Sequence, residues 1–296
     1  MPNIFMYFKD ARSIFYYSNR SIRDTNLRKI VFFVIKILLP KNNLPPAPQE
    51  EASRLRKDGI IVWDQLVDAT TVNNIRQYLS TKSVYDLQDF IDGKGQIPLK
   101  LEDVKITRQK KLKYFDADIA GCKDIIDIAN SPKILSLVAD YFGCKPTIGN
   151  MAAWWTKAGA DPAEKFYDDM FHRDVDDIKF LKLFVYLNDV GPKNGAHSFI
   201  KGSHISNECT ARRMLSDEEI DRHFPKNNQL VLTGKSGGAF LEDTWGLHRS
   251  MPCEEGERLV LHIMYCVTSL NKHFPPKPVA ENVYGVDGYV NRVYLG

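Results

Sequence analysis

Residues 171–177 read FHRDVDD and place a histidine and a carboxylate two positions apart, just ahead of an apolar run. In an extended chain, residues i and i+2 point to one side. His172 and Asp174 can therefore offer an imidazole and a carboxylate to one ion while Arg173 points away. His248, in DTWGLHRSMP at the end of another apolar run, supplies a third donor of the right type. Two histidines and one carboxylate on one side of an ion leave coordination positions open, as oxygen activation at ferrous iron requires. Ten residues after His248, Arg258 offers a permanently charged fork that can pair with the far carboxylate of a cosubstrate. Each piece alone is common, and a lone histidine is more often structural than a ligand; the combination carries the reading.

Other side chains compete for roles. His197 and His204 sit in NGAHSFIKGSH, read as a turn in which local hydrogen bonding explains them. His262 has even spacing from Arg258 and shares its face, and His223 closes a short helix where the dipole favours it. In KFLKLFVYLNDV, Leu181, Leu183, Val185 and Leu187 form one face and Lys182, Phe184, Tyr186 and Asn188 the other. The second face looks into the site, where Phe184 packs against a cosubstrate and Tyr186 against substrate. Trp154 and Trp155 face opposite ways; one belongs to the core and the other, here Trp155, borders the pocket. Arg173 and Arg249 adjoin the ligands. Both are candidates for a cationic rim around an anionic substrate, although alternation along a strand favours a structural role for them.

The elements that must position these residues change along the chain. DGIIVWD predicts a strand, DATTVNNIRQYLS a helix with Val72, Ile75, Tyr78 and Leu79 on one face, and SPKILSLVADYFG a helix opened by Ser131 and Pro132 and closed by Gly143. From about Lys145 strands dominate: TIGNMAAWWTKA, KFLKLFVYLNDV, NQLVLTG, GGAFLEDTW and ERLVLHIMYCVTS, interrupted by SDEEIDRHF with Ser216 and Glu219 in capping-box spacing. Helices followed by many strands indicate a mainly β fold with flanking helices, a barrel or jelly roll.

The 296 residues are 44% hydrophobic and 26% charged, which suits a packed globular chain. Five cysteines without paired short spacing indicate a reducing compartment, hence a cytoplasmic location. Charge is uneven: residues 1–43 carry eight Lys/Arg against Asp10 and Asp24, a net of +6 within a total of +3. This segment is also rich in Phe and Tyr and contains LRKIVFFVIKILLPK. Its apolar run, Ile30 to Leu39, is half the roughly 20 residues of a bilayer span. It reads either as a helix lying on the inner face of an anionic cell membrane or as one packed on the core. PKNNLPPAPQ, residues 40–49, reads as a linker, so that residues 1–49 form a basic aromatic segment and 50–296 the folded domain.

His172-x-Asp174, NGAHSFIKGSH, GGAFLEDTWGLHRS and Arg258 together resemble the phytanoyl-CoA dioxygenase family of Fe(II)/2-oxoglutarate oxygenases over roughly residues 59–270. The resemblance implies a double-stranded β-helix (jelly roll, cupin-like), iron on His172, Asp174 and His248, 2-oxoglutarate with its far carboxylate on Arg258 assisted by Ser250, and O2 as oxidant. It implies hydroxylation of a C–H bond with release of succinate and CO2. Lys201 stands where the family usually has proline, and Cys253 or its neighbours replace a polar residue. Asp174 retains the carboxylate that halogenases of the superfamily lack.

A weaker, fold-level resemblance to bacterial Kdo hydroxylases, with the basic leader, suggests a membrane-associated anionic sugar such as Kdo of a lipid A precursor. A soluble small molecule or an acyl-CoA is the alternative substrate, and a non-catalytic binding protein on the same barrel the alternative class. Nucleic acid is not expected as a partner, because the leader's aromatics are interleaved with aliphatics and the body is mildly acidic.

Overall fold

The structure is a computed structural model and describes residues 11–105, 110–159, 169–211, 213–270 and 285–295. Its helices are α1 (Ala11–Ser21), α2 (Thr25–Ile37), α3 (Gln49–Asp58), α4 (Ala69–Ser80), α5 (Leu87–Ile91), α6 (Asp116–Ala120), α7 (Lys123–Ala129), α8 (Pro132–Phe142), α9 (Asp217–His223) and α10 (Arg292–Leu295). The strands are β1 (Ile60–Trp63), β2 (Val84–Asp86), β3 (Lys110–Tyr114), β4 (Thr147–Lys157), β5 (Phe180–Tyr186), β6 (His197–Ile200), β7 (Gln229–Leu232), β8 (Ala239–Glu242), β9 (His248–Ser250) and β10 (Glu257–Cys266).

An antiparallel sheet in the order β1-β8-β5-β10-β4-β3-β2 faces a smaller one, β7-β6-β9. Together they form the double-stranded β-helix expected from the motifs. Cross-strand register fixes what faces inward: His262 lies opposite Phe184, Val260 opposite both Tyr186 and Trp154, Arg258 opposite Thr156, and Phe240 opposite Phe184. The other face carries Leu181, Leu183, Val185, Leu241, Leu261 and Ile263, all buried against α3, α4, α7 and α8 in the main core. The period-two split of β5 read from the sequence is thus the division between site and core.

Local signals place the helices. Asp68 caps α4 by accepting from Thr71 N at 2.9 Å, which satisfies one of the free N–H groups of the first turn. Ser216 and Glu219 form the reciprocal capping box on α9. Gly143 closes α8 at φ 66°, whereas Ser131 makes no side-chain cap bond there. Gly59 closes α3 at φ 83°, and a Cβ there would sit 2.5 Å from His204 Nδ1, so helix end and histidine pack only because the side chain is absent.

Three sequence expectations change. NGAHSFIKGSH is not only a turn: His197–Ile200 is the central strand of the small sheet. Strands β2 and β3 extend the large sheet, although short and charge-rich sequences such as KKLKY give little strand signal. The N-terminal part is not set apart from the body. Arg28 of α2 is 4% exposed and donates to Asp177 O and Ile178 O, and its guanidinium lies 4.2 Å from the Trp245 ring centre. Thr25 Oγ1 accepts from Trp245 Nε1 at 3.0 Å. Ala47, within the Pro-rich stretch, is buried in the main core, so the body begins well before residue 50.

Candidate metal centre

Strand β9 and the extended segment bridged to it deliver the donors. His172 N donates to His248 O at 3.0 Å and His248 N to His172 O at 3.1 Å, a hydrogen-bonded antiparallel pair. Their rings therefore stand side by side, centroids 4.4 Å apart. Asp174 N donates to Thr244 O at 2.9 Å, which keeps the chain extended and turns the carboxylate to the same side. Asp174 Oδ2 lies 3.3 Å from His248 Nε2, and Oδ1 3.8 Å from His172 Nε2. One donor atom from each residue falls within 4.8 Å of the others. Gly246 makes the turn before His248; a Cβ there would meet the Phe199 ring at 2.7 Å.

The donor chemistry fits a divalent transition metal. His172 Nδ1 lies 2.8 Å from Met170 O and His248 Nδ1 2.9 Å from Gly246 O. Carbonyls accept only, so each Nδ1 carries a proton and each Nε2 is turned to the shared point, where it would give up its own proton to bind a metal. Burial opposes ionisation of Asp174, but Lys182 and the two histidines outweigh it and hold the carboxyl well below the usual range. A cavity of about 390 Å³ opens over the donors, lined by His172, Asp174, Val175, Asp176, Arg20 and Arg23 among others.

The inner wall continues to Arg258, 2% exposed. It donates to Ser250 Oγ at 3.1 Å, to Gly195 O and, more weakly, to Thr156 Oγ1 at 3.4 Å. Phe184 stands between, stacked on Phe240 with centroids 5.0 Å apart and 5.3 Å from His197. The structure thus brings His172, Asp174, His248, Phe184, Ser250 and Arg258 to the barrel interior.

Two expected substrate contacts are corrected, and a third has framework partners. Trp155 belongs to the main core on the opposite face, its Nε1 donating to Tyr114 Oη at 3.0 Å. It is Trp154 that faces inward, 5.9 Å from His262 and 6.5 Å from Phe184 between ring centres. Arg249 points away from the donors: it pairs with Asp217 at 2.9 Å and lies over the Phe171 ring. Tyr186 does face inward, but its hydroxyl donates to Leu232 O at 2.7 Å and accepts from His197 N at 3.2 Å, so it frames the interior. Arg173 is likewise structural, donating to the carbonyls of Trp245, Glu208 and Cys209.

One group was missed, and another was placed on the inner face without a role. Glu242, wholly buried, pairs with His197 Nε2 at 2.9 Å, and His197 stacks 5.6 Å from His248. Alternation along AFLE puts Glu242 on the face of Phe240, a usable signal. Lys182 Nζ lies 2.6 Å from Asp174 Oδ2; burial disfavours its charge, but Asp174 and Asp176 keep it protonated.

No protein-family model matches the sequence, and no curated protein matches it. Solved structures do. The non-heme alpha-ketoglutarate-dependent epimerase SnoN from nogalamycin biosynthesis is 16% identical over 73% of this chain and 79% of its own, with a TM-score of 0.52. SnoN in complex with Fe3+, alpha ketoglutarate and nogalamycin RO gives a TM-score of 0.50 at 16% identity, covering 73% of this chain and 82% of that one. At this identity the likeness establishes the fold: the chain is a jelly roll of the kind on which non-heme alpha-ketoglutarate-dependent enzymes are built.

Proposed function

We propose that the chain is an Fe(II)- and 2-oxoglutarate-dependent oxygenase that hydroxylates a C–H bond of an anionic substrate. The observation that carries this is the convergence of His172 Nε2, His248 Nε2 and an Asp174 oxygen, with both Nδ1 atoms tied to carbonyls and a buried guanidinium, Arg258, on the same inner wall. Iron with 2-oxoglutarate would supply the oxidising power for C–H cleavage. The chain's own residues supply orientation and dryness. His172, Asp174 and His248 would hold the metal; Arg258 with Ser250 would receive the far carboxylate; Phe184, Phe240 and Trp154 would exclude water from the space between. The order and spacing of these motifs support the finer reading within the phytanoyl-CoA dioxygenase family.

The rim supports an anionic substrate, because Arg20 and Arg23 stand over the cavity. A sugar acid such as Kdo of a lipid A precursor belongs to this proposal as its narrowest form. The test is a substrate panel incubated with Fe(II), 2-oxoglutarate and O2, read by succinate release and product mass. Succinate formation matched by products heavier by one oxygen supports the proposal. Products of unchanged mass point to epimerisation instead, and absence of succinate under all conditions removes the oxygenase reading.

A further inference from the structure

Helix α2 has two faces that its sequence makes equally apolar. One is docked: Thr25 and Arg28 are buried, and Val31, Phe32 and Ile35 pack on the core. Directly opposite, at helical spacing, stand Leu27, Ile30, Phe33, Val34, Ile37 and Leu38, which are 46–83% exposed. Six large apolar side chains on one continuous outward face are far more than scattered surface apolar residues would give.

We propose that this outward face of α2 docks on an anionic lipid bilayer surface and sets the mouth of the metal site at the headgroup layer. Three observations choose this occupant. The helix is 13 residues long, about 20 Å, too short to cross a bilayer and suited to lying flat in its interface. The surrounding charge is predominantly positive: Arg20, Arg23, Lys29, Lys36 and Lys41 border the helix against one carboxylate, Asp24, its N-cap, which accepts from Leu27 N and from Asn207. A second copy packed on the same face would bring like charges together, whereas an anionic surface neutralises them. Finally, Arg20 and Arg23, immediately before α2, line the cavity over His172 and Asp174. Because Arg28 and Thr25 lock α2 to the body, docking the helix fixes the direction in which that cavity opens.

The docking stands on α2 alone; that it delivers a membrane-borne anionic substrate rests on the oxygenase reading. The full chain is floated with vesicles of phosphatidylcholine containing phosphatidylglycerol, and with phosphatidylcholine alone. The wild type is expected to float with the anionic vesicles and to be released by high salt or neutral lipid. The exposed-site variant Ile30→Ser/Val34→Ser/Ile37→Ser is expected to lose partitioning by about tenfold or more with an unchanged Tm, and Lys29→Gln/Lys41→Gln to lose the salt-sensitive part. His248→Ala is expected to float like the wild type, which separates this test from that of the metal site. A wild type that stays in the aqueous phase, or a serine variant that binds equally, overturns the proposal. So does a lipid-free dimer that the serine variant converts to monomer, or binding that appears only after removal of residues 1–10.

Discussion

Lys182 Nζ lies 2.6 Å from Asp174 Oδ2 and 2.7 Å from Asp176 Oδ2, so one partly buried ammonium holds two carboxylates at the edge of the metal centre. Removing it leaves like charges facing each other in a poorly solvated place. Lys182→Met is expected to lower the stability of the metal-free protein by about 2 kcal/mol. A divalent cation then replaces the missing positive charge, so the rise in Tm on adding Fe(II) anaerobically should exceed that of the wild type. An equal rise would show that Lys182 and the metal do not share Asp174.

Arg258 has a specific partner geometry rather than a general charge. Its Nη2 contacts Ser250 Oγ at 3.1 Å, which aligns one edge of the fork with the interior. Arg258→Leu is expected to weaken 2-oxoglutarate binding by about a hundredfold, the scale of a charge-assisted double hydrogen bond in a buried site. Ser250→Ala should cost about tenfold. Calorimetric titration with a redox-inactive metal in place of iron reads both, and equal affinities in wild type and Arg258→Leu would place the cosubstrate carboxylate elsewhere.

Adjacent tryptophans separate site from core. Trp155→Phe removes a buried donor from Tyr114 Oη and is expected to cost about 2 kcal/mol of stability with cosubstrate binding unchanged. Trp154→Phe, on the inner wall beside His262, should alter substrate turnover with a smaller effect on stability. Thermal melts and succinate assays on the pair test the register of β4 on β10 directly; reversed effects would place Trp155 inside.

His204 gives a pH dependence of stability. Burial lowers its pKa below the ordinary 6.5, with Asp243 opposing and Lys179 assisting. The folded state therefore favours the neutral ring while the unfolded chain takes up a proton below about 6.5. The stabilisation is complete above that pH and lost as pH falls. Tm should drop between pH 7 and 5, and less steeply in His204→Gln; identical slopes would show that His204 titrates alike in both states.

The sequence made the chemistry legible where it obeys a short period. His172 and Asp174 needed only i, i+2 spacing, and the inner face of β5 needed only alternation. Arg258 and His248 became meaningful through order and spacing as a set. What remained hidden depends on pairing between distant segments. Which of Trp154 and Trp155 faces inward follows from Val260 lying opposite Trp154, a register that no local pattern records. β6 hid in a loop-like sequence because its hydrogen bonds come from β7 and β9. The apolar run of α2 offered membrane or core; the structure supplies a core contact on one face and leaves the other exposed, since a helix with apolar residues all round buries only the side it docks.

On the proposed function, His172, Asp174 and His248 hold one ferrous ion that also takes 2-oxoglutarate. Anaerobic titration of the full chain with Fe(II) and 2-oxoglutarate, followed in the visible range, measures it most directly. A weak charge-transfer band is expected that saturates at one iron per chain and is abolished in His248→Ala and Asp174→Ala. A wild type that shows no band with both ligands in excess, or a band unchanged in those variants, would contradict it.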